Sequence, residues 1–146
     1  MAYSTDEDIF DRLSEQKVRE LTDDHGSGSV DTQRLSRLRD QAARKIDIYV
    51  RRQYELPITD TDALQVLADI EVDLLAYLLY ARRPLDIPED VEAQREQAMD
   101  DLNMIAEDGG LGIDQDGDGT PDGGSSLRVR SGDDRQTFTE RMDGRY

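Results

Sequence analysis

The residues best placed to do chemistry lie late in the chain, where Asp114, Asp116, Asp118, Gly119, Thr120 and Asp122 fit the pattern D-x-D-x-D-G-x-x-D. In such a loop alternate carboxylates converge on one hard cation, and the Gly makes the turn that lets them do so. Asp114, Asp116 and Asp118 would supply carboxylates, Thr120 a carbonyl and Asp122 a water-bridged acid, which makes Ca2+ the candidate cofactor. Ser125 stands where a strong loop carries a bidentate Glu, so the site is expected to be weak. The plain alternative is a solvated, Asp-rich linker. Beyond the loop, Leu127, Arg128, Val129 and Arg130 alternate in polarity, and Arg135, Phe138 and Arg141 follow. These seven residues are read as partner-docking: two short extended strands, or a hairpin, laid on a partner, with the arginines facing its acids and Phe138 as anchor.

Other chemistries find no residues. The chain has no Cys, and its one His, His25, sits in a Gly/Ser loop. Disulfides, thiol catalysis and Cys-ligated metals are therefore excluded, and no acid, base and nucleophile cluster in the sequence, so an enzyme is not expected. No apolar run is long enough to span a membrane, and the first ten residues lack the basic start and apolar stretch of a signal peptide. Acids outnumber bases 34 to 18, for a net charge of −16, which argues against sequence-independent binding to DNA phosphates. Sixteen of the bases are Arg and only Lys17 and Lys45 are Lys. A GC-rich genome accounts for that ratio but not for the net charge. A halophilic origin accounts for the charge, because in molar salt an acidic surface stays hydrated and its self-repulsion is screened to within about 3 Å.

Charge and glycine divide the 146 residues into a body and a tail. Residues 1–107 hold 25 acids and 13 bases, residues 108–126 five Asp and no base, and residues 127–146 five Arg and four acids. Nine of the eleven Gly lie between Gly109 and Gly144. The division expected is a helical domain over 1–107 and an extended, Gly/Asp-rich docking tail over 108–146. Leu, Ile, Val and Phe make up only about 22% of the chain, near the floor for ordered proteins, so burial between subunits would help so small a core.

The body reads as an all-α domain of four helices. Ser4 and Thr5 precede Asp6, Glu7 and Asp8, a helix start with anions at the positive dipole end. Ser14 caps a second, short turn through Val18 and Leu21. Asp31 and Thr32 open a helix to about Gln53, with Leu35, Leu38, Ala42, Ile46, Tyr49 and Val50 at helical spacing. Its other face carries acid-before-base pairs, Asp40 with Arg44 and Asp47 with Arg51. That face invites a nucleic-acid reading, but the interleaved acids favour a solvated or subunit-facing ion-pair row. A helix over about 62–82 is apolar or Tyr at every position from Leu74 to Ala81, which marks it as central and buried all round. Pro88 then opens a last helix that fades at Glu107 and Asp108.

Three stretches, ELTDDHGSGSVD (20–31), KIDIYVRRQYELPI (45–58) and DIEVDLLAYLLYARRP (69–84), together with the MAYSTDEDIF start, resemble the Mu-like tailed-phage family of head–tail joining proteins. The resemblance covers about residues 1–107. It implies a small helical protein without enzymatic activity, forming a homo-oligomeric ring, commonly twelve-fold, in the virion neck. The implied partners are the portal protein and a further neck or tail protein, with assembly in the host cytoplasm and no membrane. The first loop departs from the family pattern, since Ser27 and Ser29 replace acids of a calcium-type loop. Separately from the resemblance, the acidic charge suits a channel through which DNA slides without specific binding. The leading expectation is an adaptor ring between portal and tail. The alternatives are a lower neck ring (stopper or connector) and a free acidic calcium-binding protein.

Overall fold

The structure, a computed structural model, describes residues 2–83 and 86–117. Helices α1 to α4 each begin where a short polar side chain takes an amide left unpaired by the first turn. Thr5 and Asp8 form a reciprocal capping box at the start of α1 (Asp6–Leu13). Ser14 caps α2 (Glu15–Thr22) by accepting from the Lys17 amide, while its own amide closes the end of α1. Asp31 caps α3 (Thr32–Val50) and Asp60 caps α4 (Thr61–Ala81) in the same way. Pro88 precedes α5 (Glu89–Asp108) and Gly109, at φ 82°, ends it. The all-α class stands, with five helices rather than four among the described residues. The short turn expected after Ser14 is a full helix, α2, because Ser14 turns the chain sharply at φ 74° and restarts it.

Helix α4 touches each of the other four. Its Leu67, Ile70 and Leu74 join the ends of α3 and α5 in one core cluster, with Ile46, Val50, Leu102 and Ile105. Its Val72, Leu75, Ala76 and Leu79 pack with Ile9, Val18, Leu21, Leu35 and Val91 in another. The central position is as expected, but burial is incomplete: Tyr77, Leu78 and Tyr80 are half-buried and Ala81 is exposed. Among the described residues, Ile48 on α3 is the only exposed large hydrophobic, at 64%.

The chain does not leave the body at Asp108. Leu111 and Ile113 are buried beside Tyr54 and Ile58 in the first cluster. The Leu111 amide donates to the Tyr54 hydroxyl (3.2 Å), and Gln115 exchanges two hydrogen bonds with the Glu55 backbone (2.8 and 2.9 Å). The Gln53 side-chain amide donates to the carbonyls of Ala106 and Glu107, satisfying the end of α5. The expected division between residues 107 and 108 thus falls inside packed chain.

Candidate partner interface

Of the loop read as a calcium site, Asp114 and Asp116 are described, and both lie on the returning segment. Asp114 Oδ1 accepts from the Gly117 amide at 2.7 Å, an Asx-type turn that Gly117 permits at φ 79°. Asp118, Thr120 and Asp122 lie outside the described residues, as do Leu127, Arg128, Val129, Arg130, Arg135, Phe138 and Arg141. Among the described residues no three His, Asp or Glu side chains converge as metal ligands.

The first loop is organised by its own carboxylates. Asp23 accepts from the amides of Ser27 (2.9 Å) and Gly28 (2.8 Å) and from the Ser27 hydroxyl (3.0 Å). Those backbone bonds hold its carboxyl below the usual range. Next to it, Asp24 gathers three guanidinium groups: Arg34 from α3, Arg82 at 2.6 Å and Arg83 at 3.2 Å from the end of α4. Arg82 and Arg83 also donate to the carbonyls of Leu21 and Glu20 at the end of α2. This node ties α2, α3 and α4 at one end of the bundle. Sequence reading missed it because its members are scattered over some sixty positions; the only local signals are the doubled acids at 23–24 and the doubled arginines at 82–83.

A buried carboxylate fastens the N-terminal segment. Glu71, fully buried on α4, accepts from the Tyr3 amide (2.9 Å), the Ser4 amide (2.9 Å) and the Ser4 hydroxyl (2.6 Å). Burial pushes its carboxyl above the ordinary range, and these bonds, with the Arg39 charge, hold it partly back. The Tyr3 hydroxyl donates to Asp47 on α3; burial first, and then that bond and charge, push the phenol upward. Asp47 is therefore engaged by Tyr3, and neither the Asp47–Arg51 nor the Asp40–Arg44 pair expected from spacing forms an ion pair.

Apart from Asp40, the charged side chains exposed on the outside of α3 and in the turn after it are basic. Arg37, Arg44, Lys45, Arg51 and Arg52 are exposed. None has a carboxylate within ion-pair distance among the described residues. The family model described as "Bacteriophage Mu, Gp36" matches residues 3–129. The chain belongs to the bacteriophage Mu Gp36 family. It is thus a Mu-like phage protein, and the family match spans all five helices, the Glu71 and Asp24 nodes and the Asp114–Asp122 loop. No curated protein matches the chain. No helix among the described residues is long and apolar enough to cross a membrane.

Proposed function

We propose that the chain is a structural protein of the phage virion, an adaptor that forms a homo-oligomeric ring on the portal vertex and receives the tail. The observation that carries this reading is membership of the bacteriophage Mu Gp36 family over residues 3–129, joined to the neck-protein resemblance of the helical body. Three features support it. The core is small and divided in two, as suits a subunit that gains burial from neighbours. The polar side chains held in the interior, Glu71 and the groups on it, fasten one part of the chain to another. The net charge of −16 disfavours contact with the phosphates of DNA passing through a channel.

The test is to mix the purified chain with the portal protein of the same phage and examine the product by electron microscopy. Rings seated on portal are expected. A chain that stays monomeric and never decorates portal sinks the proposal.

A further inference from the structure

The charge of the body is sorted between two helices. From Thr32 to Gln53 there are seven bases and two acids, whereas α5 carries eight acids and one base, Arg95. Arg34 and Arg39 are spent inside the molecule on Asp24 and Asp6. The exposed bases that remain on α3 form one stripe, bordered by the exposed acid Asp40. At 3.6 residues per turn, Arg37, Gln41, Arg44, Lys45 and Ile48 share about a third of the helix circumference, with Ile48 near its middle, and exposed Arg52 follows in the turn after the helix. On α5, exposed Glu89, Glu92, Glu96, Asp100, Asn103 and Glu107 share a narrower arc. The basic stripe runs about 17 Å along the helix and the acidic one about 27 Å at 1.5 Å per residue. Although α3 and α5 touch through their inner faces, no ion pair joins the two stripes among the described residues.

We infer that the outer face of α3, centred on Ile48, docks on the outer face of α5 of a second copy of this chain. The inference rests on the ring reading and adds the faces by which its subunits meet. The occupant follows from charge and shape. A nucleic acid laid on the α3 stripe would bring its phosphates against a body of strong negative charge. An acidic stripe of helical length is the matching surface, and α5 supplies one. A two-fold dimer through α3 would set bases against bases, so the complementary pairing is head-to-tail. Head-to-tail contacts propagate, and they close into a ring when the rotation between copies permits. Ile48, otherwise an unexplained exposed apolar side chain, becomes the desolvated centre of a charged rim.

The experiment uses two full-length variants, Arg44→Glu/Arg52→Glu on α3 and the turn after it, and Glu96→Arg/Asp100→Arg on α5, with helicity checked by circular dichroism. Mass is read by light scattering in solution and rings are counted on portal by electron microscopy. Each variant alone should self-associate at least tenfold more weakly than wild type, because each then sets like charges face to face. An equimolar mixture should recover wild-type assembly, because the reversed α3 of one fits the reversed α5 of the other. Ile48→Asp should weaken association without loss of helicity. The inference is overturned if either charge variant assembles as wild type does, if the mixture is no larger than its parts in both readouts, or if the α3 variant loses only DNA binding. Portal decoration by the wild type separates the two ideas: a chain that decorates portal but shows no charge rescue keeps the adaptor reading and loses this interface.

Discussion

Glu71 is the residue on which the N-terminal segment depends. A carboxylate wholly removed from water is costly, and here three donated hydrogen bonds from Tyr3 and Ser4 offset that cost. Its folded-state carboxyl lies above the ordinary value of 4.5, so the folded protein binds the proton more tightly than the unfolded chain. The contribution of this group to stability is therefore full below that ordinary value and declines as pH rises through the raised one. Glu71→Gln removes the titration and cannot accept from all three donors, since its amide nitrogen faces an N–H. It should cost about 1–3 kcal/mol near pH 5, and the gap to wild type should narrow toward neutrality. Denaturant unfolding of both proteins across that range checks this; parallel stability curves would remove the linkage.

At the scale of elements, the informative case is the segment after α5. Burying Leu111 and Ile113 is worth about 1.5–3 kcal/mol each, a large part of a typical domain's total. A chain cut after Asp108 should consequently melt well below one cut after Gly117, and its α5 should fray where Gln53 no longer finds ordered carbonyls. Thermal denaturation of the two truncations, followed by circular dichroism, decides it; equal melting temperatures would show that the return of the chain adds nothing. This return was hidden in the sequence because Gly and Asp dominate the composition there, and two apolar residues spaced by two carry little periodic signal. The helices were legible to within about three residues at their ends, from starts at Thr5, Asp31 and Pro88 and from apolar spacing, because both signals are local. The α3 helix ends at Val50 rather than near Gln53, with the exposed bases Arg51 and Arg52 in the turn that follows. The ion pairs were misread for the opposite reason: Asp47 answers to Tyr3, 44 positions away, and no window of sequence contains both.

For the whole molecule, net charge sets the terms on which everything else operates. Among the functional readings, the family was legible from three ordered stretches, and the stripe on α3 was visible as a basic face. Its complement on α5 is visible only once the fold shows which acids of that helix face outward. Acids on α4 and α5 leave the isolated body repelling itself at low ionic strength, where charges act over about 10 Å; in molar salt that range shrinks to about 3 Å. The clusters that hold the core, one containing Leu67 and Leu102 and the other Leu75 and Ile9, are apolar and do not weaken under the same change. Salt should therefore stabilise the fold rather than loosen it. Between ~0.1 M and ~2 M KCl the melting temperature should climb by about 5–10 °C, the equivalent of about 1–2 kcal/mol for a domain of this size. A scan of the full chain across that series is the check, with the Arg44→Glu/Arg52→Glu variant beside it. That variant adds four negative charges to the balance and should show the steeper dependence, so a flat response in both would mean that the acidic surface does not govern the stability of this protein.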